Sequence, residues 1–209
     1  SIPLTFLWLI GVTNAVNIID GLDGLAAGVS TIAAFAISAV AFLNGEFLIG
    51  PLALIVGFSA LGFLPHNFKS KIFMGDSGSL FLGFSLASLS IMGSLKLTAA
   101  FSLLVPIMIL LVPIFDTLFA ILRRVIRRQS IFEGDRRHFH HRLLDLGFSS
   151  RQAVYFIYFL SIVFAGLAIY SSFVRNRDGY IAFGVSLIVL FVATSIIVFL
   201  HQKKENQAN

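Results

Sequence analysis

The chain is 209 residues long, 57% of them hydrophobic and 12% charged, and it carries a net charge of +5 with no cysteine. The lack of cysteine excludes disulfides and thiolate metal sites. No nucleic-acid-binding motif is present, so anionic lipid head groups or a phosphate-bearing substrate account better for the positive charge.

Hydropathy predicts an all-α, polytopic membrane protein. A hydrocarbon core of roughly 30 Å takes about 20 helical residues to cross, and about seven apolar runs approach or exceed that length. The predicted spans are about 2–19, 24–43, 47–64, 79–94, 97–122, 153–174 and 180–200. We expect one integral-membrane domain over residues 1–209, in which the basic, His-rich loop at 123–152 is the only sizeable soluble part.

The charge distribution predicts the orientation. Residues 123–151 carry eight Arg, which places this segment in the cytoplasm by the positive-inside rule. Alternation of the spans then puts loops 20–24 and 65–78 and the tail on the same side.

The first predicted span ends in a polar, glycine-rich segment. Asp20 and Asp23 are three residues apart, which on a helix puts both carboxylates on one face, and Asn14 and Asn17 extend that face into the span. One interpretation is a polar helix end with glycine-rich turn chemistry. A charged residue at the bilayer centre costs roughly 2.5–3.5 kcal/mol, and less near an interface, so two acids beside two amides favour a hydrated functional pocket.

Asp76 lies directly before the fourth predicted span, in a run of small residues at 75–79. Asp76 or Ser77 can cap that helix. A cap does not exclude a site, because a helix N-terminus also holds phosphate, and a carboxylate beside phosphate is a natural Mg²⁺ ligand.

Asp116 lies near the cytoplasmic end of the long run at 97–122, after Pro106 and Pro113, which should kink the helix. It is a candidate site residue, and a structural ion pair with a nearby Arg is the alternative.

Imidazole and guanidinium groups crowd the basic loop. Three interpretations are a solvated basic patch, a zinc site and an anion site. Because the Arg residues would repel a cation, whereas Arg and His together suit a pyrophosphate, the pattern favours anion binding. The cluster comprises Arg136, Arg137, His138, His140, His141 and Arg142.

Four segments resemble, in order, the signatures of a known family. Residues 14–27, 73–79, 113–117 and 134–143 resemble those of the polyprenyl-phosphate N-acetylhexosamine-1-phosphate transferases, glycosyltransferase family 4. The His-Phe-His-His order at 138–141 is similar to that of the undecaprenyl-phosphate N-acetylglucosamine-1-phosphate transferases that start teichoic acid, O-antigen or common-antigen synthesis. The phospho-N-acetylmuramoyl-pentapeptide transferases typically carry three consecutive histidines instead.

The resemblance implies a reaction and a setting. Undecaprenyl phosphate attacks the sugar-bearing phosphorus of UDP-N-acetylglucosamine, giving the lipid pyrophosphate sugar and UMP, with Mg²⁺, or Mn²⁺ in its place, offsetting charge. The implied location is a bacterial plasma membrane, with the active site facing the cytoplasm. The implied partners are the polyprenyl-phosphate lipid, the UDP-sugar and the bilayer, not nucleic acid, and a homodimer is compatible with this assignment.

The resemblance also implies roles for single residues. Asp76 and Asn17 would ligate Mg²⁺. Uridine would be held by Asp23, Asn67 and Phe73, and the diphosphate or sugar by His138, His140, His141 and Arg142. Asp20 and Asp116 would join the catalytic group without an assigned role, and Asn14 and Arg137 would join the substrate-binding group.

The chain departs from the family pattern in two places. Relatives usually have ten or eleven spans and an adjacent Asp-Asp pair before the Asn-rich segment, and no two Asp are adjacent here. Since the sequence also starts at Ser1 without Met, we expect it to be the C-terminal two-thirds of a larger enzyme, inactive by itself. Prolines that relatives often place around residues 67–71 are also missing.

A secondary transporter for a divalent cation or anionic solute is the main alternative from another class. It predicts polar residues deep within several spans and related internal halves, whereas the acids here cluster at one face and no repeat stands out. A non-catalytic scaffold that keeps the fold is a third interpretation.

Overall fold

The computed structural model describes residues 2–97, 99–126, 138–174 and 176–208, with side chains described for all of these except residue 99 and residues 201–208. Over these ranges the chain consists of helices, turns and bends, which confirms the predicted all-α class. The helices are α1 (Ile2–Ile18), α2 (Leu25–Leu43), α3 (Ile49–Asn67), α4 (Gly75–Gly93), α5 (Ala99–Ile109), α6 (Leu111–Ile126), α7 (Phe139–Asp145), α8 (Ser150–Val174) and α9 (Arg177–Ala208).

Four helices in the described ranges are long and apolar enough to cross a membrane. They are α2, α3, α8 and the part of α9 that covers Arg177–Leu200. The bent pair α5 and α6 makes a fifth span if counted as one, and α1 is apolar but has 17 residues. The chain is therefore a multi-pass helical membrane protein, and the count of about seven spans stays a prediction.

The predicted span at 97–122 contains a sharp break. α5 and α6 meet at an angle of 86° around Leu110. Pro106 lies inside α5 and Pro113 lies in the first turn of α6, and each lacks the N–H that a continuous helix needs. The kink expected from the two prolines is confirmed, and it is sharp enough to make two helices.

α2 is the central helix of the bundle. It packs against α3, α4 and α8, and most of its side chains are buried. Small side chains allow this close approach of neighbouring helices inside a membrane. The buried small residues of α2 include Ala26, Ala27, Gly28, Ser30, Ala33, Ala34, Ala36, Ser38 and Ala41.

A second apolar cluster fixes the short helix α7. Phe139 and Leu143 are buried among apolar residues of α2, α6, α8 and α9, including Phe164. A helix of seven residues is too short to be stable by itself, so tertiary packing must hold it in place. This cluster brings the histidine segment to the end of the bundle where α1 stops.

Candidate active site

The predicted acidic and small-residue motifs meet where α1 ends and α4 begins. Asn17 Nδ2 donates to Asp76 Oδ1 across 3.0 Å and to Ser79 Oγ across 2.8 Å. Ser79 is fully buried and its hydroxyl donates to the Gly75 carbonyl across 2.9 Å. Asn17 and Asp76, predicted to share a metal ion, are therefore adjacent although 59 positions apart.

The helix-cap alternative for Asp76 finds no support in the structure. α4 begins at Gly75 with Met74 at its cap position, and no side chain makes a capping hydrogen bond there. Asp76 lies in the first turn, where a negative charge is favoured by the helix dipole, and its carboxylate accepts from Asn17 instead.

Asp20 and Asp23 occupy the loop between α1 and α2, next to Asp76. Burial, together with the nearby charges of Asp23 and then Asp76, raises the pKa of the Asp20 carboxyl to about 6. Asp23 Oδ2 accepts a short hydrogen bond from Ser70 Oγ in the loop after α3. Asp20 is thus repelled by the two other carboxylates, which is the electrostatic setting that a divalent cation relieves.

The donor set around Asp76 fits Mg²⁺. Within the described ranges, no three His, Asp or Glu side chains are grouped so that they could enclose a metal ion. Mg²⁺ does not need such a cage, because it usually binds one or two carboxylates and fills its other positions with substrate phosphates and water. The side-chain oxygens of Asp76 and of the adjacent Asn17 can serve as these protein ligands.

Asn14 and Asn67 are engaged by the backbone. Asn14 is exposed, and its amide donates to the Ile10 carbonyl of its own helix across 2.9 Å. Asn67 is 3% exposed. Its Oδ1 accepts the Gly24 N–H across 2.6 Å and its Nδ2 donates to the Ile72 carbonyl across 2.9 Å. Asn67 thus joins the loop after α1 to the loop after α3, and its contact with uridine stays a prediction.

Phe73, the other residue predicted to hold uridine, lies in the segment that follows α3. Its side chain is 74% exposed, directly before Met74 and α4. It is therefore accessible to a ligand at the same end of the bundle as Asp76.

Asp116 holds the start of the histidine helix. Its Oδ2 lies 3.1 Å from His138 Nδ1, and its Oδ1 accepts the Phe139 N–H across 2.8 Å. The carboxylate therefore satisfies a free backbone donor of α7 and orients one imidazole. These contacts give the predicted catalytic residue Asp116 a structural task that sequence reasoning did not identify.

The rings of the three histidines form one cluster, but they differ in exposure. His138 and His140 have nearly parallel rings with centroids 6.0 Å apart, and the His141 ring lies 4.2 Å from that of His140. His140 is 2% exposed, and its Nε2 lies 2.5 Å from the position of a Cβ on Gly21. Burial is the main reason why the pKa of His140 falls to about 4, so at neutral pH the ring packs uncharged against the acidic loop.

The guanidinium groups of the predicted anion site are only partly described. Arg142 lies over the Phe119 ring, with 5.3 Å between its Cζ and the ring centroid. Arg136 and Arg137 lie outside the described residues, so the substrate-binding role of Arg137 stays a prediction.

Comparison with known proteins identifies the family. Residues 1–94 match the family model described as Glycosyl transferase family 4. The "Probable undecaprenyl-phosphate N-acetylglucosaminyl 1-phosphate transferase" of Bacillus subtilis (strain 168) is 52% identical over 168 residues, which are 80% of this chain and 47% of that protein. The chain belongs to glycosyl transferase family 4.

Two further proteins are similar to this chain. The "Decaprenyl-phosphate N-acetylglucosaminephosphotransferase" of Mycolicibacterium smegmatis is 40% identical over 216 residues, covering 94% of this chain and 53% of that protein. The "Phospho-N-acetylmuramoyl-pentapeptide-transferase" of Staphylococcus aureus (strain JH9) is 45% identical over 109 residues, covering 48% of this chain and 34% of that protein. The chain thus spans about half the length of the curated relatives that it matches over most of its own length.

Sequence reasoning about this glycosyl transferase family 4 chain missed three residues that shape the site. Ser79 lies in the small-residue motif, three residues after Asp76 and therefore on the same helix face. This spacing could have identified Ser79 as a site residue. Ser70, in the loop after α3, contacts Asp23, and Tyr158, on α8, contacts Gly24. Neither residue belongs to a motif. Only the folded chain reveals those two contacts.

Proposed function

We propose that this chain carries the site of an Mg²⁺-dependent phosphotransferase. It moves N-acetylglucosamine 1-phosphate from UDP-N-acetylglucosamine to undecaprenyl phosphate and releases UMP. The observation that carries this proposal is the pairing of Asn17 with Asp76 beside the carboxylates of Asp20 and Asp23. The names of the Bacillus and Mycolicibacterium relatives support the polyprenyl phosphate and the N-acetylglucosamine phosphate.

Asp76 and Asn17 would hold Mg²⁺ through their side-chain oxygens. When bound, the ion offsets negative charge on the phosphates of the two substrates. Mn²⁺ prefers the same hard oxygen ligands, so we expect it to replace Mg²⁺ in part.

The residues of the chain act mainly by positioning and electrostatics. An oxygen of the lipid phosphate forms a new bond to the sugar-bearing phosphorus, and the bond from that phosphorus to the bridging oxygen breaks, so that UMP leaves with the bridging oxygen. His138, His141 and Arg142 would bind the diphosphate oxygens by charge-assisted hydrogen bonds. Phe73 and Asp23 would hold the uridine, next to the acidic loop.

The membrane setting is part of the same proposal. Seven spans would place loops 20–24 and 65–78 at the cytoplasmic face of a bacterial plasma membrane, which agrees with the eight Arg at 123–151. The lipid-linked sugar would start a cell-envelope polysaccharide such as teichoic acid or O-antigen, and the enzyme would work as a monomer or homodimer.

A second candidate donor is UDP-N-acetylmuramoyl-pentapeptide. The Staphylococcus relative favours it, but that match covers only 48% of this chain. The spacing of the histidines, with Phe139 between His138 and His140, favours the N-acetylglucosamine donor.

The test is UMP release by the complete gene product in detergent, with undecaprenyl phosphate, Mg²⁺ and either donor. We expect release from UDP-N-acetylglucosamine that EDTA abolishes and that Asp76→Asn lowers roughly 100-fold or more. Asp178→Asn is the matched control, because Asp178 is an exposed residue at the start of α9, at the opposite end of the bundle.

Release from the pentapeptide donor alone would move the chain to the second candidate. No release from either donor by a folded wild-type protein would contradict the proposed function, and Mg²⁺ or solute uptake into proteoliposomes would then test transport.

A further inference from the structure

Tyr158, a residue outside all of the motifs, makes a hydrogen bond to the backbone of the turn at residues 20–24, which carries Asp20 and Asp23. The hydroxyl of Tyr158, on α8, donates a short hydrogen bond to the carbonyl oxygen of Gly24, 134 positions away. The N–H of the same glycine donates to Asn67 Oδ1 across 2.6 Å. Both backbone polar groups of Gly24 are therefore fixed, one from α8 and one from the end of α3.

Gly24 has a backbone conformation that favours glycine, and other side chains lie close around it. It has a φ of 84°, in the left-handed region, at the cap position of α2, where no side chain makes a capping hydrogen bond. The ring of Phe68 covers it so closely that a Cβ would lie 2.6 Å from the ring. The turn from Asp20 to Gly24 is thus oriented by side chains that reach it from other helices.

The ring of Tyr158 has little freedom to move. It fills the space beside Gly28, where a Cβ would lie 1.9 Å from its hydroxyl oxygen. It also meets the Phe68 ring edge-on, with 6.4 Å between centroids. A Phe at this position would keep the ring packing and remove only the hydrogen bond.

We infer that Tyr158 is a positioning residue of the phosphotransferase site, which acts by holding the Gly24 carbonyl and so fixing the turn that carries Asp20 and Asp23. This inference rests on the proposed function. Asp23 directly precedes Gly24, so a rotation of the peptide at Gly24 moves the Asp23 carboxylate. Phosphoryl transfer depends chiefly on positioning, and a displacement of about 1 Å can lower the rate roughly 100-fold.

α8 also provides a matched control. Tyr155 lies one turn before Tyr158, its ring is 6.3 Å from that of Tyr158, and its side chain is 59% exposed. The experiment compares Tyr158→Phe with Tyr155→Phe in the complete gene product, and it measures kcat, KM for the nucleotide sugar, the Mg²⁺ concentration for half-maximal rate, and the thermal unfolding temperature. Hydrogen–deuterium exchange of the peptides that cover residues 20–28 is measured on the same samples.

We expect Tyr158→Phe to lower kcat roughly three- to tenfold and to raise the Mg²⁺ requirement, the size expected for one hydrogen bond. Exchange at residues 20–28 should rise, while the unfolding temperature falls by no more than about 2–4 °C relative to Tyr155→Phe, the loss expected for one hydrogen bond. Tyr155→Phe should match wild type in every measurement.

Wild-type turnover and wild-type exchange in Tyr158→Phe would overturn the inference and leave the proposed function standing. Exchange that rises along the whole of α2 and α8 would also overturn it, since that pattern marks a general loss of packing. If the wild-type protein transfers no sugar phosphate, the proposed function fails, and the exchange at residues 20–28 alone then decides whether Tyr158 holds the turn.

Discussion

Asp116 Oδ1 accepts the backbone N–H of Phe139 across 2.8 Å and thereby ties the bent pair α5 and α6 to the histidine helix α7. The other carboxylate oxygen lies 3.1 Å from His138 Nδ1. An ionised carboxylate only accepts hydrogen bonds, so this contact requires a proton on Nδ1 of His138. One side chain therefore sets both the start of α7 and the form of an imidazole in the proposed diphosphate site.

Asp116→Asn should separate these two tasks. The amide oxygen can still accept the Phe139 N–H, whereas the amide nitrogen donates toward His138 and favours a proton on Nε2 instead. We expect turnover to fall roughly tenfold or more with little loss of stability, and Asp116→Ala to destabilise the protein by about 1–3 kcal/mol as well. Asp178→Asn serves as the control, and wild-type turnover in Asp116→Asn would contradict this role.

Stability should depend on pH through Asp20. Burial, with the charges of Asp23 and Asp76, raises the pKa of Asp20 to about 6, above its value in the unfolded chain. The folded state therefore binds this proton more tightly, so the stabilising contribution is full below about pH 4 and declines as the pH rises through about 6. The stability of Asp20→Asn relative to wild type should therefore increase as the pH rises through about 6. Thermal unfolding in detergent with EDTA measures this difference.

The comparison with wild type isolates Asp20 from other titrating groups. His140 acts in the opposite direction, because burial lowers its pKa to about 4 and its contribution is lost on acidification, but it is present in both proteins and cancels. A difference between the two unfolding temperatures that does not change with pH would show that the Asp20 carboxyl is not perturbed by folding.

At Ser70, the effect of the side-chain hydroxyl and the effect of the backbone conformation can be tested separately. It has a φ of 51° and its hydroxyl donates to Asp23. Ser70→Ala removes the hydroxyl and keeps the unfavourable φ, whereas Ser70→Gly removes both. We expect both variants to lose activity equally, roughly two- to fivefold, while the Gly variant unfolds with a free energy about 0.5–1 kcal/mol higher than the Ala variant. Unequal activities would mean that the backbone of the loop matters more than the contact with Asp23.

The sequence predicted the helical class from its hydropathy and the kink from its prolines, whereas the grouping of Asn17 with Asp76 was implied only by the resemblance to the family. It did not predict the tasks of Asn67 and Asp116, whose side chains bind backbone groups of other segments. Because almost every residue carries a backbone N–H and a carbonyl, the sequence does not show which backbone group a side chain will bind. For the same reason Tyr158 could not be found, since its partner is a carbonyl oxygen that every residue carries.

The contact between Gly21 and His140 links the acidic loop to the histidine helix, and it predicts coupling between them. A Cβ on Gly21 would lie 2.5 Å from His140 Nε2, and the imidazole is 2% exposed, so the ring or the loop must shift to admit the methyl group. Gly21→Ala should therefore lower the free energy of unfolding by about 1–3 kcal/mol and reduce turnover. Gly11→Ala on α1, where a Cβ would meet nothing within 4 Å, should leave turnover unchanged and raise the free energy of unfolding by about 0.5–1 kcal/mol, because Ala is the better helix former.

A second substitution decides whether His140 is the cause. His140→Ala empties the space that the new methyl group needs, so adding Gly21→Ala to His140→Ala should cost less than adding it to wild type, with a coupling energy of about 1 kcal/mol or more. Denaturant or thermal unfolding of the four proteins gives this energy directly. Strictly additive effects would mean that Gly21→Ala disturbs the loop itself, and the histidine helix would then not be seated by contact with the acidic loop.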